Sequence, residues 1–390
     1  MDEIRTLTWD ELDESFDLSC FAFQYELSPE ERAHRKSLFR PGTIWGYFVD
    51  GKLAAKMTVH PLKTYINGLT YDMGGVAGVA TWPEYRRKGM VAKLLRTGLK
   101  AMKEEGRTIS MLHPFSVPFY RKYGWELCIE YKTYEIETAK LPFPSHEEGR
   151  VERADGDWRL LNGIYDVYAR QYNGMLVRDE LWWRETVFKQ KKGMAAVYFG
   201  DAGVPRGYVL YSVKNRVMEI GEMAFLDEGA RRGLWKFISN HDSMVDKVTL
   251  KAPSDDRLPY LLPDPRIRQE TYPYFMARIV DVQGFVERYP FVAGHAAAEW
   301  SVYVEDGCAE WNDAVFRVAV DREGKAKVSS GAAGEKHDLS CDIRTLTALM
   351  VGYARPSFLH ACGLLKGDRS VVELLERLIP ARQTYLTDYF

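Results

Sequence analysis

Apolar side chains at Met90, Val91, Leu94, Leu95, Leu99 and Met102 recur every three to four residues, while Lys93, Arg96, Lys100 and Lys103 fall on the other side. That period predicts an amphipathic helix from just after Gly89 to about Glu105. The same period runs over 10–23 and 28–39, the second opened by Ser28 as N-cap and Pro29 in the first turn. After Pro41-Gly42 the spacing shortens, and 45–49, 52–59 and 69–81 read as antiparallel strands. Asp50-Gly51 and Asn67-Gly68 join them, dipeptides suited to tight hairpins. Beyond Trp82-Pro83 and the helix, 109–113 predicts a short buried strand, 116–123 a short helix and 125–136 a further strand.

The pattern then restarts. Residues 142–148 read as a linker, and a second α/β region extends from about 151 to 279. Within it, 223–235 echoes 79–91 in a register that aligns Glu228 with Glu84 and Gly233 with Gly89, as an internal duplication would. From about residue 280 the texture is α+β: strands over 298–304, 308–312 and 314–320, helices over 345–351 and 370–378, and a tail over 380–390 that ends in apolar and aromatic residues. The division expected is therefore 1–141, 142–279 and 280–390. A length of 390 residues with 46% hydrophobic and 28% charged residues is compatible with such a set of globular domains.

Charge narrows the range of functions. Lys and Arg number 53 against 55 Asp and Glu, with no long run of one sign, so nucleic acid is not an expected partner. The five cysteines are scattered and form no CxxC pair, which excludes a disulfide framework or zinc site as an expectation and points to a reducing cytoplasm. The acidic start has no signal-peptide pattern, and no apolar run approaches the roughly 18 residues of a membrane span. No membrane association and no metal are expected.

The chemistry concentrates between Gly78 and Trp125. Arg86-Arg87-Lys88-Gly89-Met90-Val91 lies between a strand and a helix, offering main-chain N–H groups and a helix N-terminus beside three cations, an arrangement suited to a pyrophosphate. Gly89 permits close approach of backbone to ligand. A solvated basic turn is the structural alternative. The segment resembles the acetyl-CoA pyrophosphate motif of the GNAT acetyltransferases, with Arg86 and Gly89 matching and Val91 departing from the usual Gly or Ala. Downstream, Phe119-Tyr120-Arg121-Lys122-Tyr123-Gly124-Trp125 resembles the second signature of that superfamily. The resemblance implies acetyl-CoA as co-substrate, Tyr120 as general acid toward the departing thiolate with Tyr123 as the competing phenol, a main-chain N–H of Val79 at the oxyanion, and Thr81 pairing with the pantetheine arm.

Taken over the whole chain, tandem GNAT-like domains with mixed, mostly antiparallel sheets followed by a sterol-carrier-protein-like α+β domain resemble the enhanced intracellular survival (Eis) family of N-acetyltransferases. The resemblance implies a homo-oligomer, a hexamer, and a small-molecule amine acceptor such as an aminoglycoside or polyamine. It implies a main-chain carboxylate at Phe390 acting as general base, with Phe21, Phe23 and His113 at the acceptor site. The Asp that the family pattern places near Phe23 is absent, with Glu26 close by, and Asp388 reads either as a cation attractor or as a solvated tail charge. The alternative from another class is a carrier or regulatory protein that binds acetyl-CoA or lipid without turnover.

Overall fold

The computed structural model of the chain describes residues 2–142, 149–154 and 156–390, so the linker expected at 142–148 lies, beyond Pro142, outside the described residues. The first half forms strands β1 (Asp2–Thr6), β2 (Ile44–Val49), β3 (Lys52–Ile66), β4 (Leu69–Thr81), β5 (Ile109–Leu112) and β6 (Glu126–Glu137). The second forms β7 (Arg150–Arg153), β8 (Met194–Phe199), β9 (Pro205–Lys214), β10 (Val217–Phe225), β11 (Lys247–Pro253) and β12 (Arg268–Ile279). All twelve join one sheet in the order β1-β2-β3-β4-β5-β12-β6-β11-β10-β9-β8-β7. The order is palindromic: each half lays its first five strands side by side, then places its sixth strand beside the other half's fifth. Consequently β12 closes the first half, pairing Met276 with Leu112 of β5, while β6 closes the second, pairing Glu137 with Lys247 of β11. The fold is duplicated, and the copies share an exchanged seam.

Helices α1 (Leu12–Phe23) and α2 (Pro29–Ser37) follow β1, α3 (Met90–Glu104) connects the parallel strands β4 and β5, and α4 (Val117–Arg121) precedes β6. The expected capping of α2 is present: the Glu31 amide donates to Ser28 Oγ at 3.2 Å and the Ser28 amide to Glu31 at 2.8 Å. Both hairpin dipeptides adopt positive φ at both positions, which Asn, Asp and Gly tolerate best. β1 was not visible as a strand in the sequence because its Asp, Glu and Arg side chains carry little apolar alternation.

The internal echo has a different register from the one expected. Gly89 is the N-cap of α3, whereas Gly233 lies inside the helix Glu228–Ser239, whose N-cap is Asp227. Gly233 is small because Tyr198 packs on it; an added Cβ would stand 2.2 Å from that ring.

Residues 282–390 build a five-stranded sheet, β15-β14-β13-β16-β17, from β13 (Ala298–Glu305), β14 (Ala314–Val320), β15 (Ala326–Gly331), β16 (Leu339–Asp342) and β17 (Lys366–Gly367). Helices Ile343–Met350 and Arg369–Leu378 match expectation, but 308–312 forms a 3-10 turn, Glu310–Asn312, instead of a strand. There the Asp306 carboxylate accepts from the amides of Cys308 and Ala309, and such local capping competes with a ladder. One apolar core continues from this domain into the large sheet, joining Trp300, Phe316, Leu346 and Leu375 to Met73, Met111 and Phe275.

That junction accounts for the glycine of the second signature. Gly124 has φ +87°, and a Cβ there would lie 1.8 Å from Nη1 of the fully buried Arg278. Arg278 donates to the Tyr123 carbonyl and pairs with Asp306 at 2.5 Å. Gly124→Ala should therefore cost about 1–3 kcal/mol in urea unfolding, and a variant as stable as the parent would contradict this role.

Candidate active site

β4 and β5 run in parallel only from Met73–Ile109 to Val76–Leu112. β5 then stops at His113-Pro114, because proline supplies no N–H to a ladder. β4 continues to Thr81, so among the described residues Ala77–Thr81 have no strand beside them on the β5 side. On the other side the pairing slips: Ala77 faces Thr58 and Ala80 faces Lys56, leaving Gly78 and Val79 opposite Met57 alone. Gly78 takes φ +57° in this bulge. The result is an open V whose floor exposes main-chain groups near Val79.

At the far end of the V the chain turns through Pro83–Tyr85 and enters α3. Arg87 and Gly89 both have positive φ, and α3 begins without a side-chain cap or an acidic residue in its first turn. Among the described residues no acceptor is present for the amides from Arg87 through Ala92. Arg86, Arg87, Lys88 and Gly89 are exposed, with Arg86 Nε 3.4 Å from the Thr81 carbonyl and Lys88 lying over Tyr85. Orphan amides, a positive helix end and three cations fit an anion such as a pyrophosphate. The second half lacks this arrangement: Asp227 already accepts the Ala230 amide at 2.8 Å, and Glu228 adds negative charge.

Tyr120 sits on α4, 3% exposed, in the same apolar cluster as Met90, Leu94, Trp125 and the partly buried Val79 and Val91. Phe115, Phe119 and Trp125 meet its ring edge to face. Burial raises its pKa above the ordinary tyrosine value, so the phenol keeps its proton at neutral pH. Tyr123 belongs to the periphery of that cluster and packs on Phe119.

A cavity of about 660 Å³ opens on the other face of β3. Strand alternation sorts the residues: Met57 and Val59 pack beneath α3, while Lys56, Thr58 and His60 face the cavity. Leu12, Ser15, Phe16, Ser19 and Phe23 line it at helical spacing on α1, Ala77 and Gly78 mark its approach to the V, and Arg178, Asp179, Trp182 and Glu185 form the opposite wall. Phe23 is thus in the wall as expected, whereas Phe21 lies against Trp82 with centroids 5.0 Å apart and does not line the cavity. Glu26 is exposed and also outside the lining.

The C-terminal tail is tied into this wall. The segment 173–178 lies between β3 and the tail: the Tyr65 amide donates to Met175, and the Tyr385 amide to Asn173. Arg178 then forks onto Glu222 at 2.8 and 2.7 Å, and its Nε donates to Asp388 at 3.1 Å. Trp182 Nε1 donates to Asp388 at 2.9 Å, and Lys191 and Tyr208 also reach Glu222. Burial raises the Glu222 pKa, but Arg178 and Lys191 outweigh it and hold the carboxyl well below the usual range. Asp388 is therefore a buried anchor, 1% exposed, rather than a solvated tail charge. The ring of Phe390 rests on Phe275 at 4.9 Å and faces Trp182 at 6.4 Å. A Cβ on Gly75 would meet both Phe390 and the cavity residue Leu62, so β4 is bare where the tail crosses it. His113 packs on Tyr389 at 5.0 Å and on Phe275, with its pKa lowered by partial burial and then by Lys251; it stands with the tail and not among the cavity-lining residues.

Arg178, Glu222 and Lys56 were not singled out from the sequence. Lys56 is 4% exposed, donates to Ser15 O and Oγ at 2.8 Å each, and burial brings its pKa down to about 8. An unfolded chain holds that proton up to about 10.5, so it binds more protons than the native state between about pH 8 and 10.5. Lys56 should therefore make stability rise with pH across that window, and the rise should be absent from Lys56→Met in denaturant titrations. Equal slopes in the two proteins would refute the assignment.

No group of three or more His, Cys, Asp or Glu residues is arranged for a metal ion among the described residues, and no helix there is long and apolar enough to cross a membrane.

Comparisons agree with this layout. A GNAT acetyltransferase domain model matches residues 3–128, a second one 174–279, and a sterol carrier protein domain model 282–387. N-acetyltransferase Eis of Mycobacterium tuberculosis is 23% identical over 320 residues, covering 78% of this chain and 76% of Eis. The chain belongs to the Eis-type GNAT acetyltransferases. An uncharacterised N-acetyltransferase of Streptomyces avermitilis is 24% identical over 383 residues, 90% of each chain. A probable N-acyltransferase of Enterococcus faecalis superposes with a TM-score of 0.93 at 29% identity over all of both chains. Eis1 of Mycobacterium abscessus shares the fold, with a TM-score of 0.83 at 20% identity. This Eis-type chain is accordingly an enzyme, an N-acetyltransferase, and the non-catalytic carrier reading falls away.

Proposed function

We propose that the enzyme transfers the acetyl group of acetyl-CoA to a primary amine of a small molecule by direct attack on the thioester. The observation that carries this reading is the open V of β4 and β5, with uncapped amides at one end and a buried phenol beside it. Thr81 and its neighbours on the free edge of β4 pair with the pantetheine arm, while the amides from Arg87 through Val91, with Arg86, Arg87 and Lys88, hold the pyrophosphate at Gly89 and Met90. As the amine nitrogen bonds to the carbonyl carbon, the Val79 N–H stabilises the oxyanion. When the C–S bond breaks, Tyr120 protonates the sulfur. The main-chain carboxylate at Phe390 takes the proton lost by the amine, directly or through water, ionised as a terminal carboxyl is at neutral pH. No acyl-enzyme is required. His113 orients the tail through Tyr389, and Phe23 forms acceptor wall; Phe21 supports that region through Trp82.

The aminoglycoside or polyamine acceptor expected from the family resemblance would meet aromatic walls at Phe23, Tyr25 and Trp182, and the charges of the cavity decide between it and other amines. A homo-oligomer in the cytoplasm belongs to the same reading, with the hexamer as its specific form, and light scattering on the purified chain tests it.

Adding a Gly-Ser pair after Phe390 displaces the carboxylate without touching the Arg178 anchor. It should lower kcat by roughly 100-fold or more, the range assigned to a general base, with the KM for acetyl-CoA nearly unchanged. Full activity would remove Phe390 as base. Absence of thiol release with every amine tried would contradict the transfer reading itself.

A further inference from the structure

The charges around the acceptor cavity do not match a polycation. Of its two lining acids, Glu185 is paired with Lys189 at 2.6 Å and His34 at 2.7 Å, and Asp179, which caps the Trp182 amide at 2.7 Å and keeps its charge, stands against five lining cations, Arg35, Arg40, Lys56, Lys63 and Arg178. Arg178 is neutralised by Glu222 and Asp388, and Lys63 stands 3.6 Å from Asp72. Three cavity cations remain without a carboxylate among the described residues. Lys56 is buried and bonded only to the oxygens of Ser15, Arg35 donates to the Tyr25 hydroxyl at 3.1 Å and lies over its ring, and Arg40 is exposed and unpaired. His60, on the same face of β3, adds no anion to compensate them.

A buried ammonium without a counter-ion is costly unless a ligand supplies one. Two guanidiniums beside it present planar forks that suit carboxylate or phosphate oxygens. Resting on the transferase reading, we infer that the preferred acceptor is an amine that also carries an anionic group, a carboxylate or a phosphate, held by Lys56, Arg35 and Arg40 while its amino group meets the thioester beside Gly78. The same three cations repel an acceptor with several ammonium groups, so the cavity selects by attraction and by exclusion.

The test compares aminocarboxylates, aminoalkyl phosphates, neutral monoamines and polyamines of matched length with the full chain and acetyl-CoA. One of the two anionic classes should exceed the matched polyamine in kcat/KM by roughly 30-fold or more, the scale of leaving a buried charge unpaired, and which class leads tells carboxylate from phosphate. Arg40→Ala, at an exposed position that folding tolerates, and Lys56→Met should each narrow the ratio between anionic and neutral acceptors, chiefly through KM. Thermal protection by the corresponding N-acetylated products reads the same preference without turnover, so a dead enzyme and a wrong acceptor class are told apart. Equal or greater preference for polyamines in either assay, or an anionic-to-neutral ratio unmoved by both substitutions, overturns the inference.

Discussion

Tyr120→Phe is expected to lower kcat by roughly 10²- to 10⁴-fold, the range contributed by a positioned general acid, while the KM for acetyl-CoA stays close to that of the parent. The substitution removes one oxygen from a ring held by Phe115, Phe119 and Trp125, so packing and cofactor affinity persist. Burial keeps the phenol protonated well above neutral pH, so the acid is available over the whole working range. The effect should shrink with an acyl donor whose thiol is more acidic, because a better leaving group needs less help from a proton. A Tyr120→Phe enzyme with parental kcat would transfer the role to another group, with Tyr123 the next phenol to test.

Arg178→Met is expected to cost about 3–5 kcal/mol of unfolding free energy, as when one partner of a buried ion pair is removed. Glu222 and Asp388 would remain buried, with Lys191 as the nearest compensation, and the stack of Arg178 on Tyr165 at 3.7 Å would be lost. Because Arg178 also fixes the tail, hydrogen exchange at 384–390 should rise in the variant even under conditions where the rest of the fold persists. Arg178→Lys keeps a charge without the planar fork and should recover only part of the loss. A loss below about 1 kcal/mol, with the tail still protected, would mean that the tail docks by its aromatic residues alone.

Local signals made much of the first half legible. The 3.6-residue period of α3, the Ser28-Pro29 opening of α2 and the Asp-Gly and Asn-Gly turns each rest on a few neighbouring residues, and each is found where the pattern put it. The basic turn before α3 and the Phe119–Trp125 signature were legible for the same reason. The exchange of β6 and β12 was not, since it depends on pairings such as Met276 with Leu112 that no local period encodes. Nor was the anchor of the tail: Arg178 and Asp388 are 210 residues apart, and an acid near a chain end resembles many solvated ones. Lys56 falls in a strand where a lysine reads as a surface position, and only the packing of Ser15 over it shows a buried charge. The mistaken register of Gly233 shows that a sequence echo can follow a true duplication and still misplace the helix start.

The proposed reaction is direct acetyl transfer from thioester to amine in a site that the tail completes. A single-turnover reaction, quenched and followed by mass spectrometry of both small molecules and protein, tests it most directly. Thiol and N-acetylated product should appear together, with the mass of the protein unchanged at every time point. A transiently acetylated protein, or thiol released with no acetylated amine, would contradict it.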